Sequence, residues 1–186
     1  MSELISKKRA IFLDRDGTLI EDLHYPRDPE KVRWVPGAVD ALKELQGLGF
    51  LLFVISNQSG VGRGIITDLQ FRKVHERFCD LLKDAGIEIR EFAYCFHRPE
   101  DDCACRKPRT KFIEELARSH SVDLNQSYTI GDKWSDALMG FRAGASGMIL
   151  KSESLEPVPP ELKAVEVPVF SSWTEIAQFM KRLPRS

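Results

Sequence analysis

This 186-residue chain has almost no excess charge of either sign: 27 lysines and arginines meet 28 aspartates and glutamates, for a formal net charge of −1. With no basic block either, the balance argues against a general nucleic-acid-binding surface. No apolar run approaches the roughly 20 residues that a membrane-spanning helix requires. The polar start, Met1 to Arg9, leads directly into a short apolar run. The expectation is a soluble, cytoplasmic, monomeric protein with no membrane partner. Cysteine is scarce, with four in all, and a chain without an export signal makes a poor setting for a disulfide framework. Internal repeats and low-complexity tracts are also missing. The length allows one domain with a full core and no second catalytic domain.

What is present is an alternation of short apolar runs with stretches of helical periodicity. Ala10–Leu13, Leu51–Ile55, Phe92–Tyr94, Tyr128–Ile130 and Met148–Leu150 read as strands. Helices are expected from about Gly37 to Leu48, from Asp68 to Asp84 behind a Thr67 N-cap, from near Pro108, and from Ser135 to Ala143. Strands alternating with helices predict an α/β protein with a Rossmann-like, doubly wound, mostly parallel sheet. Ligands of such sheets bind beyond the carboxyl ends of the strands. The single domain has its core at about 9–150. Residues 151–186, with an edge strand at Val165–Phe170 and a helix at Thr174–Met180, read as a packing element without chemistry. Glu21 to Val35 is the longest stretch without periodicity and reads as a loop near the active face.

The most informative segment is Leu13-Asp14-Arg15-Asp16-Gly17-Thr18-Leu19. Residues i and i+2 of an extended chain point to the same side, so Asp14 and Asp16 converge at the mouth of the first strand while Gly17 lets the backbone turn. One carboxylate can attack phosphorus and the other can carry a proton. The second strand ends in Ser56-Asn57, a hydroxyl and an amide where a phosphate would sit. Arg106-Lys107-Pro108 supplies cations at the entrance to a helix. Gly131-Asp132-Lys133 follows the fourth strand.

A different chemistry is written in Cys95, His97, Cys103 and Cys105, a C-x-H-x5-C-x-C set. Three thiolates and one imidazole suit tetrahedral zinc and leave no coordination site for water, so this Zn²⁺ would be structural. It would pin a loop too poor in apolar side chains to hold itself. Cys79 stands apart and reads as a core residue of the second helix, beside Phe71, Val74 and Phe78.

The aspartate motif and the three that follow resemble the signature of the haloacid dehalogenase superfamily, and of its phosphatase branch in particular. The resemblance runs from about Ala10 to Leu150. It implies that Asp14 forms an aspartyl-phosphate, that Asp16 protonates the leaving oxygen and then activates water, and that Ser56 holds the phosphoryl oxygens while Asn57 orients substrate. It further implies that Lys107 neutralises nucleophile and phosphoryl group, that Arg106 grips substrate, and that Asp132 helps hold catalytic Mg²⁺ together with Asp14 and the backbone carbonyl of Asp16. Asp136 reads as a helix-start acid rather than a direct ligand. No insertion is large enough for a cap domain, so the chain looks capless.

A zinc loop followed directly by Arg-Lys-Pro looks like the branch of that superfamily whose substrates are a heptose 1,7-bisphosphate and histidinol phosphate. Asn57 to Gly64 and Gly131 to Lys133 favour the heptose side, with Arg63, Arg106 and Lys133 as cations for a second phosphate. The five-residue spacing between His97 and Cys103, and the acidic trio Glu100, Asp101 and Asp102, favour the histidinol side. Two readings from other classes are an inactive zinc-stabilised binding module and a DNA 3′-end phosphatase; the near-neutral charge argues against the latter.

Overall fold

The computed structural model describes residues 7–153 and 155–183. Its sheet has six strands: β1 (Ala10–Leu13), β2 (Leu51–Asn57), β3 (Ile89–Cys95), β4 (Tyr128–Gly131), β5 (Ser146–Leu150) and β6 (Val169–Phe170). They lie in the order β3-β2-β1-β4-β5-β6, and every pairing is parallel. The strand order reverses beside β1, which makes the gap between β1 and β4 the switch point where ligands of such sheets bind.

Helices cover both faces because the strands are apolar on both. Ile11 and Leu13 of β1 belong to one core with Ala38, Leu42 and Leu45 of α1 (Ala38–Gly47), Phe78 of α3 (Asp68–Asp84) and Trp173 of α6 (Trp173–Arg182). The alternate residues Ala10 and Phe12 belong to a second core with Ile113 and Leu116 of α4 (Lys111–His120) and Met139 of α5 (Trp134–Ala143). A short α2 (Ser59–Gly62) follows β2. The two-residue alternation of β1 thus puts it between both helical layers. Among the described residues no helix is long and apolar enough to cross a membrane, and none of the connections holds a cap domain.

Helix α3 has the bounds the sequence predicts, and Thr67 and Gln70 close its capping box. Three other expectations need correction. The third helix starts at Lys111 rather than near Pro108, because Arg106 to Arg109 form a turn closed by the Arg109 N–H on Arg106 O at 2.9 Å. The C-terminal strand is only Val169–Phe170. The residues before it leave a short helical turn at Pro160–Leu162, and Pro168 has no N–H with which to extend the ladder. Cys79 is half-buried, not core: the buried side of α3 is Phe71, Val74, Phe78 and Leu82, and the thiol lies 3.6 Å from His75 Nε2.

The C-terminal segment does more than cover the sheet. Trp173 is fully buried, and its indole N–H donates to the carbonyl of Thr18 at 2.7 Å. The last helix therefore braces the turn that carries the two aspartates. Trp173→Phe should keep an aromatic ring but lose this bond and part of the buried indole volume, lowering unfolding free energy by about 1–3 kcal/mol. Urea denaturation checks this, and an unchanged midpoint would show that the brace contributes nothing.

Candidate active site and metal centres

The turn after β1 is dictated by Gly17. Its φ of +79° is left-handed, and a Cβ there would lie 2.7 Å from Asp132 Oδ2. The N–H groups of Leu19 and Ile20 both return to Arg15 O, at 2.9 and 3.0 Å. This fold-back holds Asp14 and Asp16 at the carboxyl end of the sheet, where both line a cleft of about 330 Å³.

Lys107 is the centre of the buried charge. Its Nζ donates to Ile55 O at 2.7 Å and lies 2.8 Å from Asp14 Oδ1 and 2.6 Å from Asp136 Oδ1. Burial alone would lower the pKa of Lys107, but the two carboxylates outweigh it and hold the ammonium well above its usual range. Burial likewise opposes ionisation of Asp14, yet Lys107 and the Ser56 hydroxyl bring its carboxyl below the ordinary value. Asp14 is therefore a buried, ionised carboxylate facing the cleft. For Asp136 burial prevails over Lys107, and its pKa is raised.

Asp132 is in the opposite situation. It is buried, its Oδ1 has no hydrogen-bond partner, and its closest cation is Lys133 Nζ at 3.9 Å from Oδ2. Burial and then the charge of Asp14 push it up to about 7. A carboxylate so poorly served, with its oxygens among those of Asp14 and Asp136 within 4.8 Å of one another, suits a divalent cation with hard oxygen ligands. Asp136 falls in the same cluster, but Oδ1 faces Lys107 and Oδ2 accepts the Lys133 N–H at 3.3 Å. That leaves Asp14 and Asp132 as the better-disposed pair, with Asp136 at the start of α5.

The zinc set converges too. The Sγ atoms of Cys95, Cys103 and Cys105 lie 3.3 to 3.6 Å apart, and His97 Nδ1 lies 3.7 Å from Cys95 Sγ and 3.3 Å from Cys105 Sγ. A tetrahedron with bonds of about 2.3 Å has edges near 3.8 Å, so the four ligands could close around Zn²⁺ with small adjustments. Burial pushes the Cys95 thiol up to about 12; a bound cation is what would turn such a group into a thiolate. The loop leads through Cys105 straight into Arg106 and Lys107, and both ends of the Asn57 side-chain amide clamp Lys107: its Oδ1 accepts the Lys107 N–H at 3.0 Å and its Nδ2 donates to Lys107 O at 3.2 Å.

The predicted substrate residues divide accordingly. Ser56, Asn57, Arg106 and Lys133 line the cleft, as do Asp14, Asp16 and Lys107. Asn57 does so with its amide already committed to the lysine backbone, so it orients Lys107 rather than standing free for substrate. Arg63 does not line the cleft. It is exposed and donates from Nη1 to the Tyr25 hydroxyl at 3.3 Å, placing it behind the rim. Sequence reasoning missed the residues Asp22, His24, Tyr25 and Pro26, which the loop after β1 brings over the cleft. It also missed Arg15 and Gln58, both buried beneath Asp16.

Two carboxylates at the end of the central strand, a buried lysine against one of them and an unserved acid after β4 define a phosphatase of the haloacid dehalogenase type. Residues 9–142 match the family model described as polynucleotide kinase 3 phosphatase, and the chain belongs to this family of phosphatases. A Helicobacter pylori strain J99 protein, D-glycero-beta-D-manno-heptose-1,7-bisphosphate 7-phosphatase, is 37% identical over 81% of this chain and 87% of its own length. The Campylobacter jejuni histidine biosynthesis bifunctional protein HisB is 36% identical over 76% of this chain, but the match spans only 41% of that protein. The crystal structure of a D,D-heptose 1,7-bisphosphate phosphatase from B. bronchiseptica superposes with a TM-score of 0.82 at 24% identity, covering 94% of this chain and 98% of the other; at that identity it speaks for the fold.

Proposed function

We propose that this chain is a single-domain, magnesium-dependent phosphomonoesterase that removes the 7-phosphate of D-glycero-D-manno-heptose 1,7-bisphosphate through an aspartyl-phosphate on Asp14. The observation that carries the chemistry is the ionised, buried Asp14 held 2.8 Å from Lys107 at the floor of the cleft. An Asp14 oxygen attacks phosphorus as the bond from phosphorus to the sugar oxygen breaks, and Asp16 gives that oxygen a proton. Asp16 then takes a proton from water, whose oxygen attacks phosphorus and breaks the bond to Asp14. Ser56 and Lys107 bind the phosphoryl oxygens on which charge accumulates. Asp14, Asp132 and the Asp16 carbonyl would hold the magnesium ion, which when bound supplies positive charge against the phosphate dianion. The zinc ligands have no part in these steps and hold the loop that delivers Arg106 and Lys107.

For the substrate, two features favour the bisphosphate. Arg106 and Lys133 line the cleft beyond Lys107 as cations for a second anion, and Arg106 Nη1 has no hydrogen-bond partner. The acidic trio that would attract an ammonium is engaged elsewhere: Asp101 is forked by Arg98 at 2.7 Å, Asp102 pairs with Arg109, and Glu100 lies 3.8 Å from Arg98. The match along most of the heptose phosphatase relative points the same way. The balanced charge supports a small substrate rather than nucleic acid, despite the name of the family model, and the reading places the enzyme in the cytoplasm as a monomer. The test is the ratio of kcat/KM for the heptose bisphosphate to that for histidinol phosphate, with and without magnesium. A ratio of at least about tenfold, equivalent to about 1.4 kcal/mol, is expected. A ratio inverted by that factor would favour the histidinol reading, which the zinc-loop spacing supports.

A further inference from the structure

One buried charge in the molecule is used by none of these steps. Arg15 is fully buried, and its guanidinium sits in the corner formed by the Phe71 and Tyr94 rings, 5.6 Å from each centroid, with the rings 81° apart. From that corner it forks Asp16: Nε donates to Oδ1 at 3.1 Å and Nη2 to Oδ2 at 2.8 Å. Gln58 completes the arrangement. Its Oε1 accepts from Arg15 Nη2 at 3.0 Å, while its Nε2 donates to Asp16 Oδ2 at 2.6 Å and lies 3.1 Å from Ser56 Oγ. Ser56 in turn lies beside Asp14. A continuous chain of contacts therefore joins the two carboxylates beneath the cleft.

We propose that Arg15 is a positioning residue that, with Gln58, fixes the rotation of the Asp16 carboxyl relative to Asp14; the proposal rests on the reading of Asp16 as the proton carrier. Charge neutralisation does not account for the arrangement. Asp16 keeps 16% of its side chain exposed to the cleft, so water could serve it, whereas taking a guanidinium wholly out of water is costly. What a planar fork adds over a point charge is direction. Two parallel N–H donors on both carboxylate oxygens stop the carboxyl from turning, and the rings from α3 and β3 stop the fork from turning. Proton transfer depends on such alignment at the leaving oxygen.

The effect is visible in the leaving group. The 7-oxygen of a heptose leaves as an alkoxide and needs a proton in the transition state; nitrophenolate leaves without one. Because kcat/KM reports the steps up to departure of the first product, it isolates this proton transfer. We expect Arg15→Lys and Gln58→Leu to lower kcat/KM on the heptose bisphosphate by about 10²-fold or more, and on 4-nitrophenyl phosphate by less than about fivefold. Asp16→Asn should show the same selectivity, more strongly. Thermal melting establishes which variants fold, and Gln58→Leu carries the test if Arg15→Lys does not. Equal losses on the two substrates in a folded variant would overturn the proposal and leave Arg15 a structural residue. If Asp16→Asn itself showed no selectivity, the reading of Asp16 as proton carrier would fall, and the role of Arg15 with it.

Discussion

Asp14→Asn should remove phosphate release almost entirely, by about 10⁴-fold or more, as expected when a covalent nucleophile is lost. An amide of nearly the same shape cannot attack phosphorus. The fold should survive, because Lys107 keeps Asp136 at 2.6 Å and Ile55 O at 2.7 Å as partners. The change also removes a negative charge beside Asp132, whose ionisation Asp14 opposes. Denaturation curves close to those of the parent protein, together with loss of phosphate release, make up the expected result. Retention of the parent rate would exclude a covalent path through this residue.

The second large effect concerns zinc. Cys105→Ser, or removal of the ion with a strong chelator, should free the loop between His97 and Arg106. A loss of roughly 3 kcal/mol corresponds to a fall in Tm of about 6–12 °C for a chain of this size. Turnover should fall with it, since Asn57 grips Lys107 only if the loop delivers the lysine backbone to it. Brief chelation of a weakly held magnesium ion should instead stop turnover reversibly and leave Tm nearly unchanged. Elemental analysis alongside calorimetry separates the two. Protein free of zinc but melting at the same temperature would contradict the assignment.

The part of this molecule legible in its sequence is the part written locally. Strand β1 announces itself by four apolar residues before the aspartates, and α3 by its Thr67–Gln70 capping box and an apolar face repeating with helical period. The zinc ligands are legible because all four fall within eleven consecutive residues. The errors arise where tertiary contacts override such signals. Pro108 satisfies the rule for a helix start but lies in the turn that follows the zinc loop. Cys79 has the right spacing for the core of α3, yet the helix turns it toward His75. Asn57 looked free for substrate because nothing near it in sequence reveals Lys107, fifty residues on. The Arg15–Gln58 contact spans 43 residues and two strands. A lone Arg inside an aspartate motif or a lone Gln after a strand carries no signal of that kind.

The bond from Trp173 to Thr18 joins positions 155 residues apart, and this gives the order of synthesis a meaning. The aspartate pair is made well before the tryptophan that braces it. A chain cut short between β5 and α6 would hold every side chain that lines the cleft and both sets of metal ligands, yet its aspartates would sit on a turn without this brace. The support of the catalytic turn is in this sense laid down after everything it supports, by a residue that lines no part of the cleft.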